Sequence, residues 1–291
     1  MQLGIRLHDT KKLPFEERIK DVHDLGFACG HLALSKVINE FPTDDGALTP
    51  GLAMYIKKVF AQNDVNIAVL GCYLNLANPN PEKLKKIQNR YMAHIRFASL
   101  LGCGVVGTET GAPNETYTPV PECHSEEALA IFIKNLRPVV RYAEQMGVIM
   151  AIEPVWKHIV YNPARARQVL TEIASPNLQV ILDPVNLLDI SNYGQQREIV
   201  EEAIEILDED IAMVHIKDYR VEKDKLVSVG AGLGQMDYTA LMKFIKEKKP
   251  FMHVTLENTT PEDNISCKNH ILKLFAAIPG GSAGEDSQRH F

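Results

Sequence analysis

Four residues that can bind a metal ion or move a proton stand at the ends of four apolar segments in the second half of the chain. The segments are short hydrophobic runs typical of buried strands, and they end on Glu153, Asp183, His215 and Glu257. Three carboxylates brought together would repel one another, so a bound cation is the natural way to hold them. Three oxygens and one imidazole suit one divalent ion, with Mn²⁺ as first choice, then Mg²⁺, Co²⁺ or Fe²⁺, and Zn²⁺ less typically.

A simpler explanation exists for each acidic residue taken alone. An acidic side chain at the end of a strand often caps the helix that follows. Four residues able to bind a metal at four successive strand ends favour a shared site over four separate caps. The argument depends on the strands being neighbours, and therefore on the elements that hold them.

Short apolar runs alternate with longer amphipathic ones along the whole chain. Strands are predicted at 3–7, 29–34, 66–72, 104–109, 148–154, 178–184, 211–218 and 252–257. Helices are predicted at 14–25, 49–63, 80–101, 125–147, 162–175, 195–207, 237–248 and 261–277. Eight strands alternating with eight helices predict an α/β fold, the (β/α)8 TIM barrel, as one domain over 1–278.

An open doubly wound sheet is the rival architecture. Such a sheet usually carries a glycine-rich first turn for a dinucleotide, and the first turn here, "HDTKKLPFEE", has no glycine. The barrel is therefore favoured, and active sites of such barrels lie where strands end. The segment 279–291 has no apolar pattern and is predicted to be a flexible tail.

Charge and composition argue against several functional classes. The 291 residues carry a net charge of -6 and show no cluster of Lys and Arg, so nucleic-acid binding is not expected. No apolar run reaches membrane-spanning length, and the first residues do not resemble a signal peptide. The five cysteines are odd in number and widely spaced, which predicts reduced thiols and a cytoplasmic protein.

Further residues are candidates for lining a pocket beside the four strand ends. The loop "EPVWKHIVYN" brings a possible acid or base, His158, and a possible sugar-stacking residue, Trp156, although either can equally be a surface or covering residue. Lys217, two residues after His215, can contact a substrate oxyanion or remain solvated. Glu109 and His8 end predicted strands in the first half, and His31 is expected to be a satisfied core histidine.

Five sequence pieces, in this order and spacing, carry a resemblance to a known family. They are "AIEP" (151–154), "ILDPVN" (181–186), "VHIKD" (214–218), "GAGLGQMDY" (230–238) and "VTLEN" (254–258). With them the chain resembles the xylose-isomerase-like barrel superfamily, and more narrowly its sugar isomerases and epimerases, including the ketose 3-epimerases. The resemblance extends over nearly the whole predicted domain.

The resemblance implies a small-molecule sugar or keto-sugar substrate and one metal ion held by the four strand-end residues. It also implies that Glu153 and Glu257 exchange a proton beside a carbonyl, through an enediolate. Asn186 stands where ketose 3-epimerases carry a histidine, so a different substrate contact is expected there. Ketose 3-epimerases also carry a glutamate six residues after the first metal glutamate. That position is Ile159 here, and His158 precedes it.

Alternative functions use the same predicted metal site or the same fold. Similar enzymes include inosose dehydratases and enzymes that cleave 3-oxo-C-glycosides, which makes a metal-dependent lyase the second hypothesis. The C-glycoside-cleaving relatives pair with a small second subunit, and homo-oligomers are common among similar barrels. A DNA repair endonuclease of the superfamily would need more histidine ligands and a basic groove. This chain is acidic and has one histidine among the four strand ends, which argues against that activity. A metal- or sugar-binding protein without turnover is the non-enzymatic alternative.

Overall fold

Eight parallel strands close into a barrel in the computed structural model, which describes residues 1–279. Hydrogen bonding joins the first barrel strand to the last, with Gln2–Ile5 aligned on His253–Leu256. The barrel strands are β1 (Gln2–Arg6), β2 (Cys29–Leu32), β3 (Asn66–Gly71), β4 (Val105–Glu109), β5 (Ile149–Glu153), β6 (Leu178–Leu182), β7 (Ile211–Ile216) and β10 (His253–Leu256). The predicted (β/α)8 TIM barrel is confirmed.

Helices cover the outside of the barrel and connect its strands. They are α1 (Phe15–Asp24), α2 (Leu34–Val37), α3 (Pro50–Gln62), α4 (Pro81–Leu101), α5 (Glu126–Met146), α6 (Pro163–Ile173), α7 (Gln196–Leu207), α8 (Thr239–Lys248) and α9 (Asn264–Ala277). The local sequence sets their limits: Ser125 caps the first turn of α5, and Gly147 ends it in the left-handed conformation. Within residues 1–279, no helix combines the length and the apolar character that crossing a membrane requires.

Side chains fill the barrel interior below the strand ends. One buried cluster draws Cys29, Val69, Ala151, Ile181 and Met213 from five different strands. The space is tight, because a Cβ added at Gly107 in β4 would lie 2.7 Å from Ile181 Cδ1 and 2.9 Å from Val69 Cγ2. This packed layer closes the barrel from below, so any binding site must lie at its carboxyl-terminal mouth.

A hairpin after β7 is the main departure from the predicted elements. Strand β7 ends at Ile216 rather than at Asp218, and the chain then forms β8 (Asp218–Glu222) and β9 (Lys225–Val229), an antiparallel pair outside the barrel. The buried Asp218 carboxylate accepts backbone hydrogen bonds from Tyr219, Gly232 and Met236, at 2.8, 3.0 and 2.8 Å. Asp218 therefore fixes both the base of the hairpin and the glycine-rich loop that follows it.

Two smaller differences concern the first half and the end of the chain. Strand β2 ends at Leu32, and residues that the sequence assigned to its end lead into the one-turn helix α2. Of the predicted tail, residues 280–291 lie outside the described residues.

Candidate active site

The four residues predicted as metal ligands meet at the carboxyl-terminal mouth of the barrel. Glu153 is the last residue of β5, Asp183 directly follows β6, His215 lies near the end of β7, and Glu257 directly follows β10. These four strands are neighbours in the barrel. All four side chains are buried, with relative exposures of 0% for Asp183 and His215, 2% for Glu153 and 5% for Glu257.

The imidazole of His215 is at the centre of this group. Its Nδ1 lies 3.4 Å from Glu153 Oε1 and 3.3 Å from Glu257 Oε1. One ligand atom each from Glu153, Asp183 and His215 lie within 4.8 Å of one another. Ligands of a single divalent ion, at bond lengths of about 2.0–2.6 Å, stand roughly 3–5 Å apart. These three donors and their spacing therefore fit one divalent cation. Glu257 belongs to a second group of the same spacing, with His215 and His31.

Asp183 and Asn186 support the group from the turn after β6. The Oδ1 atom of Asp183 accepts backbone hydrogen bonds from Val185 and Asn186, at 3.0 and 3.4 Å. Its Oδ2 atom is buried and faces the ammonium of Lys217 at 2.9 Å, so a metal ion bound there would take the place of this contact. The side-chain amide of Asn186 donates to Glu153 Oε1 at 2.7 Å and so orients that carboxylate.

Two cationic side chains partly balance the buried negative charge. The ammonium of Lys217 lies 2.9 Å from Asp183 Oδ2 and 3.7 Å from Glu257 Oε2. The guanidinium of Arg6, from β1, lies 3.1 Å from Glu257 Oε2 and also pairs with Asp9 at 2.9 Å. Glu257 is therefore in contact with cations from both strands that flank β10 in the barrel.

The charges of the group govern its protonation. Burial opposes the charged form of His215, but the carboxylates of Glu257 and Glu153 outweigh it and raise the pKa of His215 to about 9. Burial raises the pKa of Asp183, whereas for Glu257 the charge of His215 and its contact with His31 overcome burial and hold the pKa well below its usual range. Burial also opposes the charge on Lys217, yet the negative charges of Asp183 and Glu257 raise its pKa.

A second pair of polar residues lies at the ends of β4 and β5. Glu109 Oε2 is 3.6 Å from Nδ1 of His158, a buried residue of the β5–α6 loop. Burial lowers the pKa of His158 to about 4, so its ring is neutral at pH 7. Glu109 pairs in register with Glu153 across the neighbouring strands, which places this pair beside the metal-ligand group.

Tyr117 completes this pair from the loop that follows β4. Its hydroxyl donates to Glu109 Oε2 at 3.1 Å, and its ring packs edge-on against His158 with centroids 5.3 Å apart. The backbone of Tyr117 has a φ of 60°, in the left-handed region that residues with a Cβ rarely occupy. The side chain of Asn114 stabilises this turn by accepting backbone hydrogen bonds from Thr116 and Thr118. Strain of this kind concentrates at functional sites.

Two histidines from the first half close the other side of the site. His31 is buried, stacks on His215 with ring centroids 5.2 Å apart, and has its Nδ1 atom 3.6 Å from Glu257 Oε1. The sequence led us to expect an ordinary core histidine, and the structure instead places His31 in contact with the proposed ligands. His8 packs edge-on against His31 at 6.1 Å, and burial lowers its pKa to about 3.

Trp156 lies further out, on the far side of Asn186. Its backbone N–H donates to the Asn186 carbonyl and its carbonyl accepts from His124 Nε2, both at 2.7 Å. The indole makes edge-on contacts with His124 and Tyr161. Trp156 also lines a cavity of about 270 Å³ between its loop and the β8–β9 hairpin. Within residues 1–279, Trp156 forms no hydrogen bond and no ring contact with any of the four proposed ligands.

Comparison with known proteins places this barrel in a family. Residues 19–270 match the family model described as the xylose isomerase-like TIM barrel, which is well over half of the chain. The chain belongs to this family. No curated protein matches the sequence.

Solved structures support the same fold for this xylose isomerase-like barrel. A D-tagatose 3-epimerase-like protein superposes with a TM-score of 0.74 at 20% identity, over 95% of this chain and 97% of that one. The 3-keto-D-glucoside 4-epimerase of E. coli gives a TM-score of 0.72 at 13% identity, over 95% and 99%. The IOLI protein with a binding zinc atom gives 0.70 at 19% identity, over 95% and 98%. At these identities the likeness concerns the fold alone.

Proposed function

We propose that this xylose isomerase-like barrel is a sugar isomerase or epimerase that depends on one divalent metal ion. The observation that carries the proposal is the burial of three carboxylates, Glu153, Asp183 and Glu257, around one imidazole at the mouth of the barrel. Such a charge arrangement is costly unless a cation or a proton compensates it. Structural neighbours include the D-tagatose 3-epimerase-like protein and the zinc-binding IOLI protein, which is in keeping with this class.

Glu153, Asp183, His215 and Glu257 are the proposed ligands. A divalent ion bound there would polarise a substrate carbonyl and make the adjacent C–H bond more acidic. Mn²⁺ is the ion we propose first for this mixed oxygen and nitrogen set. His31 contacts Glu257 from behind and is proposed to orient that carboxylate rather than to bind the ion.

Glu153 and Glu257 are proposed to move the proton between neighbouring carbons or between the two faces of one carbon. They approach His215 from the two sides of β7, since Glu153 ends β5 and Glu257 follows β10. Asn186 orients Glu153, and Arg6 with Lys217 keeps Glu257 ionised and able to accept a proton. Lys217 is further proposed to contact an oxygen of the substrate.

Incubation of candidate keto-sugars in D₂O, followed by NMR, tests this function. D-fructose and a 3-keto-glucoside are suitable first probes, because they are a free ketose and a ring ketone. We expect deuterium incorporation beside the carbonyl and a product of unchanged formula, both abolished by EDTA and restored by Mn²⁺. Full turnover by the EDTA-treated protein would refute the metal mechanism, and Glu257→Gln is the matched catalytic control.

A metal-dependent lyase acting on a keto-sugar, an inosose or a 3-oxo-C-glycoside is the second candidate. The pair of His158 with Glu109 favours it, because elimination needs an acid or base beyond the two proton-transferring glutamates. His158 is neutral at pH 7 and can exchange a proton with the substrate, and the Glu109 carboxylate lies 3.6 Å from its Nδ1 atom. The same NMR experiment separates the candidates, since elimination releases a group and isomerisation conserves the formula.

A further inference from the structure

A cavity of about 270 Å³ opens beside the proposed metal site and belongs to no step of the proposed reaction. Its inner wall is Asn186, whose amide donates to Glu153 Oε1 at 2.7 Å. One side wall is the loop of Trp156 and Lys157, and the opposite wall is the β8–β9 hairpin, with Leu226 and Ser228. Asn186 therefore both lines the cavity and contacts one of the proposed ligands.

The charges that border the cavity balance one another. Two cations, Lys157 and Lys225, face two anions, Asp189 and Asp224. The carboxylate of Asp189 accepts a backbone hydrogen bond from Ser191 at 2.7 Å through Oδ1. Lys157, Asp224 and Lys225 are exposed, so their charged ends can reach a ligand in the cavity. A cavity with no excess charge has no electrostatic preference for a phosphate or a carboxylate.

Trp156 lines the cavity and is held in place by its neighbours. Both polar groups of its backbone are hydrogen-bonded, and its indole is wedged against His124 and Tyr161. An indole combined with charged and amide groups matches a ring that has an apolar face and a rim of hydroxyls. The volume lies just below the range of about 300–1,000 Å³ that is typical of sites for drug-sized ligands, so one ring fits and two do not.

We propose that this cavity is a subsite for a neutral, polyhydroxylated ring, such as a hexopyranose, that stacks on Trp156. The hairpin side contributes Ser228 and the charged ends of Asp224 and Lys225, which can hydrogen-bond to ring hydroxyls. If the proposed function holds, on which this extension rests, the substrate is a keto-sugar carrying a second ring through a glycosidic bond. The reacting sugar then occupies the metal site, and the second ring occupies the cavity.

The single tryptophan of the chain makes the subsite directly measurable. Trp156 emission is titrated with methyl β-D-glucopyranoside, with D-sorbitol as an acyclic polyol, and with D-glucose 6-phosphate as a charged ring. Each titration is run on the Mn²⁺-loaded protein and on the EDTA-treated protein. We expect a saturable change with the methyl glucoside alone, with the same Kd in both metal states, because the cavity does not include the metal ligands.

Two phenylalanine variants on adjacent positions of β9 provide the matched comparison. Ser228 lines the cavity, whereas Val227 does not and points to the other face of the hairpin. Ser228→Phe is expected to weaken methyl glucoside binding at least about tenfold, because the added ring fills the space of the ligand. Val227→Phe is expected to leave the Kd unchanged, and both positions are exposed enough for either variant to fold.

Three results would overturn the subsite. Equal Kd values for the two variants would place the sugar elsewhere, and tighter binding of D-glucose 6-phosphate would mean a charged ligand. A response that occurs only with Mn²⁺ bound would mean that the ring occupies the metal site. The titration measures binding of the ring in the cavity and does not depend on turnover. A protein without metal-dependent turnover could therefore still bind methyl β-D-glucopyranoside, and the two proposals can be refuted separately.

Discussion

Replacing Lys217 by methionine removes the cation that lies between two buried carboxylates. The ammonium is 2.9 Å from Asp183 Oδ2 and 3.7 Å from Glu257 Oε2, and the lysine side chain is 7% exposed. Removing one partner of a buried ion pair costs about 3–5 kcal/mol, because the other charge stays buried without compensation. Arg6 still compensates Glu257, so Asp183 carries most of the penalty. We therefore expect the metal-free Lys217→Met protein to lose about 3–5 kcal/mol of unfolding free energy.

Mn²⁺ is expected to reverse much of this loss. A Mn²⁺ ion bound to Asp183 supplies the positive charge that the variant lacks. In the variant the ion also no longer competes with the Lys217 ammonium for Asp183 Oδ2. A ligand present at 100 times its Kd stabilises a protein by about 2.7 kcal/mol, and by more when its affinity rises. The stability difference between wild type and variant should therefore narrow when Mn²⁺ is added to both.

Urea unfolding followed by circular dichroism, with EDTA and with saturating Mn²⁺, measures both effects. The matched control is Lys20→Met, because the Lys20–Asp24 pair is exposed and solvent screens it, so its loss should change the stability little. The reasoning is wrong if metal-free Lys217→Met is no less stable than Lys20→Met. It is also wrong if Mn²⁺ leaves the difference between wild type and Lys217→Met unchanged.

Three further predictions concern other parts of the molecule. Tyr117→Phe should lower kcat about tenfold with little change in KM or in the melting curve, because its hydroxyl holds Glu109; a change confined to KM would contradict this. Burial lowers the pKa of His94 from 6.5 to about 4. Between these two pH values the unfolded chain binds more protons than the folded protein, so the free energy of unfolding falls as the pH drops from 6.5 to 4. His94→Gln should therefore avoid a loss of about 3 kcal/mol between pH 6.5 and 4 in urea unfolding, and an unchanged pH profile would refute the assignment. Gly107→Ala should cost about 1–3 kcal/mol in the same assay, and a variant as stable as wild type would mean that the barrel interior has spare room.

The barrel was predictable because its information is local and repeated. Each barrel strand is a short apolar run, and each of the longer helices carries an amphipathic period with caps such as Ser125 and stops such as Gly147. The four proposed ligands follow from the same logic, since each one ends such a run. Parallel strands then place those ends together at one mouth of the barrel.

The β8–β9 hairpin was missed because its strands lack a hydrophobic pattern. Most residues of "DYRVE" and "KLVSV" are exposed or half-buried, so the segment has the composition of a loop. Its position depends on Asp218, whose bonds to Gly232 and Met236 connect residues that are 14 and 18 positions apart.

Other site residues were missed because their signal is not local. Arg6 meets Glu257 across 251 positions of sequence, and this contact exists only once the barrel closes between β1 and β10. The role of His31 depends on stacking against His215, and Tyr117 reaches Glu109 only through a left-handed backbone. A histidine inside an apolar strand looks the same in sequence whether it is packed in a core or placed beside carboxylates.

One carboxylate, that of Asp218, holds both ends of the β8–β9 hairpin, so the hairpin can be exchanged as a unit. Both chain ends of the hairpin converge on this carboxylate, since Asp218 opens β8 and binds the backbone at Gly232 and Met236 beyond β9. Exchange or lengthening of the tip at 222–225 would leave the barrel and the strand ends untouched. New ring preferences can therefore be selected from a library confined to this tip, with Asp218 kept constant as the anchor.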